Sequence, residues 1–147
     1  MAQQSEKAHS VNLEKIREDL SKVDNLANRI GVELVSTPEP DVCVAKMKVD
    51  ERNRQPFGYL SGGATLAMAE TLAGCGSYAL CPDAIACVGQ NVHGNHVHPA
   101  KEGETVTATA RILHQGRSSH VWQIEVRNEQ EVLISSISVT NHIIYAQ

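Results

Sequence analysis

Gln55-Pro-Phe-Gly-Tyr-Leu-Ser-Gly-Gly-Ala-Thr-Leu-Ala-Met-Ala-Glu70 decides how the chain is read. A turn-rich loop runs into a helix, and between Ala64 and Leu80 Glu70 is the one charged residue among Ala, Leu, Met, Gly, Cys and Thr. A helix apolar on nearly every side is expected to be buried. An ionised carboxylate is costly to bury unpaired, so Glu70 is expected to have a hydrogen-bonding partner, a raised pKa, or a place lining a substrate cleft. The small residues Ala67, Ala69, Ala73, Gly74 and Gly76 let such a helix approach a sheet closely.

Upstream, Leu13, Ile16, Leu20, Val23, Leu26, Ala27 and Ile30 recur at helical spacing. They predict one amphipathic helix over 12–30, with Asn12 as N-cap and Gly31 as stop, after a polar tail over 1–11. Residues 31–37 read as a short strand, Pro38-Glu39-Pro40 as a turn, and 41–49 as a strand alternating Cys43, Ala45, Met47 and Val49 against polar neighbours. Downstream of Pro82 the patterning turns to period two. Strands are predicted over 84–99, 105–114, about 119–127 and 131–144, with turns at His114–Ser119 and Asn128–Gln130. Helix, two strands, a buried helix and then consecutive strands make an α+β domain over 12–147, with an antiparallel sheet rather than alternating βαβ units. A curved sheet of five to six strands wrapped around one long helix fits this order.

Composition removes several function classes. With 147 residues, 20% charged and a net charge of -4, the chain fits one domain and carries no electrostatic footprint for nucleic acid. No secretory segment or membrane span is read, so a cytoplasmic protein is expected. Cys43, Cys75, Cys81 and Cys87 lack C-x-x-C spacing and read as reduced core thiols. His93, His96 and His98 invite a zinc reading, but on a strand His93 would point away from the other two and no carboxylate or thiol stands at ligand spacing, so no metal site is expected. Cys75 as a nucleophile fails for want of anything to lower its pKa.

Pro56-Phe57-Gly58, Gly62-Gly63, Glu70, Asn95-His96, His114-Gln115-Gly116-Arg117 and Trp122, in this order over about 30–142, resemble the hotdog-fold acyl-CoA thioesterases. Within them the chain resembles the small thioesterases of phenylacetate degradation, enterobactin proofreading and menaquinone synthesis. The resemblance implies hydrolysis of an acyl-CoA thioester, aromatic or small in its acyl group. It implies no cofactor, coenzyme A being part of the substrate. It also implies homodimers with sites at the subunit interface, pairing into homotetramers. Gln55 and the backbone N–H of Gly62 or Gly63 would polarise the thioester carbonyl, and Glu70 would act as nucleophile or general base. His96 would lie near the acyl or pantetheine channel. His98, Phe57, Thr71, Arg117, Ser118 and Ser119 are further substrate-binding candidates, Arg117 because its guanidinium suits the phosphates of coenzyme A.

Two positions depart from the family pattern. Ser61 stands where the family has His before the Gly-Gly pair; it either takes part of that role or serves as N-cap, the reading we prefer. Gly74 stands one turn after Glu70, where many relatives carry a Ser or Thr that helps hold the attacking water. These departures keep an alternative open, a non-catalytic or weakly active acyl-CoA-binding hotdog protein.

Overall fold

The predicted alternation becomes a six-stranded antiparallel sheet in the computed structural model, which describes residues 13–35 and 42–147. Its strands are β1 (Val32–Val35), β2 (Val42–Lys48), β3 (Ala84–His96), β4 (Thr105–Gln115), β5 (Ser119–Arg127) and β6 (Leu133–Tyr145), in the order β1-β2-β4-β5-β6-β3. The third strand in sequence thus crosses to the far edge. The crossing is made by the long helix α3 (Gly62–Leu80), which lies along one face of the curled sheet in the hotdog arrangement. Asn12, the polar tail and the Pro38–Pro40 turn lie outside the described residues.

Period-two patterning directs Cys43, Ala45 and Met47 of β2, Val106, Ala108 and Ala110 of β4, Trp122, Ile124 and Val126 of β5, and Ile137 and Val139 of β6 toward the helix. They close against Met68, Ala69, Leu72 and Ala73. Closest approach falls at Gly76, where a Cβ would stand 2.7 Å from Cys43 Sγ and 2.9 Å from the Trp122 ring. Such a contact leaves no room for a methyl group.

Two readings of the sequence need correction. The helix expected over 12–30 is two helices, α1 (Glu14–Ser21) and α2 (Leu26–Ile30), with Gly31 ending the second at φ 88°. Asn25 caps α2 by accepting from Asn28 N–H, and the amides of Asn25 and Asn28 donate to the carbonyls of Leu20 and Val23. These bonds satisfy carbonyls that a continuous helix would have paired, so the corner is stable in spite of the unbroken apolar spacing. The second correction concerns α3, which is not buried on every side. Its sheet-facing residues are buried, whereas Glu70 and Tyr78 are exposed in the isolated chain.

Candidate active site

Glu70 stands on the outer face of α3 and leans across to β3. A Cβ on Gly89 would lie 2.1 Å from Glu70 Oε1, so only glycine leaves space for the carboxylate there. Glu70 borders a cavity of about 620 Å³ shared with Ala67, Thr71, Gly74, Cys75 and Tyr78 of the helix. Gly89 and Cys87 of β3, Asn141 of β6, and Asp19, Val23 and Leu26 around the α1–α2 corner also line it. The walls are mostly apolar, with the carboxylate at one side. Burial pushes the thiols of Cys75 and Cys87 up to about 11, helped at Cys75 by nearby Cys87 and at Cys87 by nearby Cys81. Both remain protonated at neutral pH, so neither thiol is a ready nucleophile in this cavity.

A second cavity, of about 360 Å³, opens at the other end of the helix and brings together Gln55, Gly62, Thr65, His96, His98 and Ser135. Ser61 occupies the N-cap position, yet its side chain makes no capping bond, so the preferred capping role is not the one its hydroxyl plays. The N–H groups of Gly62 and Gly63 belong to the unpaired first turn, at the positive end of the helix dipole. Phe57 N–H donates to Gln55 Oε1. That bond engages the Gln55 amide oxygen and leaves the amide nitrogen as its donor. His96 Nδ1 meets Ser135 Oγ at 2.7 Å, and its Nε2 lies 2.7 Å from where a Gly62 Cβ would be, so the ring stands over the helix start. The Gln55 amide, the first-turn N–H groups and the His96 imidazole are donors of the kind that can hold a developing oxyanion.

The other sequence candidates scatter. Thr71 and Gly74 join the Glu70 cavity, and His98 joins the Gln55 cavity just beyond the end of β3. Phe57 is 84% exposed, and its backbone rather than its ring orients Gln55. Arg117, Ser118 and Ser119 sit at the β4–β5 turn and line neither cavity. His93 is bound to Asn91, and among the described residues no cluster of His, Cys, Asp or Glu is arranged to hold a metal ion. Sequence reasoning missed Gly89, Ser135 and Asn141. A glycine inside a strand signals close approach, and the core-facing register of Ile137, Val139, Asn141 and Ile143 marks a buried amide, so two of the three had a legible signal.

The model of the thioesterase superfamily matches residues 57–135, from the loop before α3 through β3 to β6. The chain belongs to the thioesterase superfamily. This thioesterase is 46% identical over 110 residues to the putative esterase ComA2 of Bacillus subtilis, covering 74% of this chain and 86% of that one. It is 39% identical over 110 residues to the 1,4-dihydroxy-2-naphthoyl-CoA hydrolase of Listeria monocytogenes, covering 74% and 87%. Its fold superposes on the crystal structure of a Haemophilus influenzae thioesterase with a TM-score of 0.83 at 33% identity, covering 91% of each chain. Thioester hydrolysis is the reaction class of the family, and the hotdog architecture is shared.

Proposed function

We propose that this thioesterase hydrolyses an acyl-CoA ester with an aromatic or small acyl group, the acyl moiety entering the Glu70 cavity and the carbonyl oxygen held by Gln55 and the Gly62 and Gly63 N–H groups. The observation that carries this reading is the pairing of a carboxylate-bearing apolar cavity with an oxyanion clamp on one helix. The likeness to the Listeria hydrolase makes the 1,4-dihydroxy-2-naphthoyl ester the first substrate to assay.

One chain cannot complete the site. Seven residues of helix separate Gly63 from Glu70, an axial distance of about 10 Å, too far for both to act on one carbonyl. A second copy resolves this. β3 is a 13-residue edge strand, with Ile85 and Val88 exposed. Exposed edges of that length invite antiparallel pairing. A two-fold axis between Val92 and His93 would set Gly89, with Glu70 against it, opposite His96 of the partner subunit and the clamp that His96 stands over. Two equivalent sites result per dimer. Tetramers, and a cytoplasmic setting with reduced thiols, are carried by the family resemblance and cysteine usage; no described helix is long and apolar enough to cross a membrane.

Thiol release from a panel of CoA esters tests the reading. Glu70→Gln should lower kcat by about 10²- to 10⁴-fold, the usual worth of a positioned acid–base group. Wild-type rates in that variant would refute the assignment, and tight ester binding without turnover by the wild type would return the chain to the non-catalytic alternative.

A further inference from the structure

The corner between α1 and α2 puts Leu20 between two cavities. Leu20 lines the Glu70 cavity, and it also lines a further cavity of about 420 Å³ that reaches β1. Along α1, Ile16 and Asp19 face the first and Arg17 and Ser21 face the second, whereas Leu20 borders both. Thr71 is the residue of α3 in the same position. Side chains that line two adjoining cavities stand between them, so Leu20 and Thr71 form the partition. Both are half-buried.

The cavity at β1 has the chemistry of a hydrocarbon site. Ala27, Val32, Leu34 and Val35 give it an apolar wall, while its charged lining residues, Arg17 and Glu33, are exposed. Its size falls within the range of about 300–1,000 Å³ in which small-molecule sites lie. Saturated chains bind such walls because burial takes apolar surface out of water and leaves no polar group unpaired. Leu20, meanwhile, is held in place. Its carbonyl accepts from the Asn28 amide at 2.7 Å and from the Asn25 amide at 3.2 Å, two of the bonds that make the α1–α2 corner. These bonds use the backbone, so shortening the side chain removes the partition without releasing the corner.

We propose that Leu20 sets the length of the acyl group this thioesterase accepts, keeping closed a tail site for longer saturated chains at β1, an inference that rests on the thioesterase reading above, in which the acyl group enters beside Glu70. Aromatic and short acyl groups end before the partition. A straight chain that reaches it meets the Leu20 isobutyl group, and a built-in clash of this kind discriminates between substrates as well as an attractive contact does. Thr71 supplies the other half of the partition, but it follows Glu70 directly in α3, so a change there also disturbs the carboxylate. Leu20 comes from a separate element and isolates the effect.

The test uses the full chain and straight-chain acyl-CoA esters from acetyl to dodecanoyl, with the benzoyl ester as reference. In the wild type kcat/KM should stop rising at a definite chain length. Leu20→Ala should move that limit outward by two or more carbons. The ratio of kcat/KM for the first ester beyond the wild-type limit to that for the benzoyl ester should rise about tenfold or more, since each methylene that gains an apolar wall adds about fourfold. Such a ratio cancels any difference in the fraction of active enzyme. Leu20→Phe should move the limit inward, and it carries the test if the alanine variant does not fold. Adding Val35→Phe to Leu20→Ala fills the cavity at β1 and should return the limit to the wild-type length. A limit that ignores both single variants overturns the proposal. So does a gain in Leu20→Ala that Val35→Phe leaves intact, which would place the tail elsewhere, or a wild type whose kcat/KM keeps rising to dodecanoyl. Glu70→Gln separates the two levels: if it silences every ester while the limit ignores Leu20, only the acyl-length assignment falls, and if it keeps wild-type rates the thioesterase assignment falls too.

Discussion

The two faces of α3 are built from similar residues and do opposite work. Toward the sheet, Thr65, Met68, Ala69, Leu72, Ala73, Gly76 and Ser77 are buried. Toward the cavity, Ala67, Glu70, Gly74 and Tyr78 border about 620 Å³ of open space. Gly74 and Gly76 show the difference most directly: a methyl group at Gly74 meets nothing within 4 Å, whereas at Gly76 it collides with Cys43 and Trp122. Identical residues two positions apart are therefore a cleft on one side and a contact on the other. The closed face anchors the helix so that the open face can hold a carboxylate at a defined place.

Substitution at the closed face should have the largest effect on stability. Gly76→Ala should destabilise the fold by about 1–3 kcal/mol, overpacking outweighing the gain of up to about 1 kcal/mol in helix propensity. Chemical denaturation of the purified protein reads it directly, and a neutral or stabilised variant would mean the helix can lift off the sheet freely.

On the closed face the buried Ser77 hydroxyl meets His120 Nδ1 at 2.9 Å, Trp122 Nε1 at 2.8 Å and the Asn141 amide at 3.0 Å, and this junction sharpens the comparison through pH. Burial holds the His120 pKa below its ordinary value of about 6.5, helped by nearby His114 and opposed by the Gly116 carbonyl. A histidine kept neutral in the fold binds fewer protons than in the unfolded chain. Its contribution to stability is therefore complete above about pH 6.5 and is lost as pH falls through the lowered folded value. Thermal midpoints should decline as pH drops from about 7.5 to 5, and His120→Gln should flatten that decline. An equal slope in the variant would show that the closed face does not titrate.

The open face should respond least, and in the opposite direction. Gly74→Ala should raise stability by about 0.5–1 kcal/mol, since the helix gains propensity and nothing is displaced. A loss of stability there would mean that the cavity wall is as tightly packed as the sheet side.

Much of this architecture was legible. Alternation through Val106, Ala108 and Ala110, and through Trp122, Ile124 and Val126, gave β4 and β5 directly, because a strand half-buried by one helix must alternate. The stretch from Gln55 to Glu70 announced a loop, a helix start and a lone carboxylate, and these are the parts of both cavities. The corner between α1 and α2 was not legible, because Val23 and Leu26 keep helical spacing while Asn25 and Asn28 end the helix through side-chain bonds. Nor was the exposure of Glu70. Composition describes a helix as a whole, while exposure depends on which side the sheet covers.

By itself the sequence determined the element types, the curled sheet around one helix, the family and the residues able to do chemistry, since periodicity and local motifs are properties of neighbours along the chain. Only the tertiary structure decided which face of α3 is closed and that Gly89 makes room for Glu70. Those are distances between residues remote in sequence. They depend on strand order and register, which place β3 beside β6 and β6 beside β5.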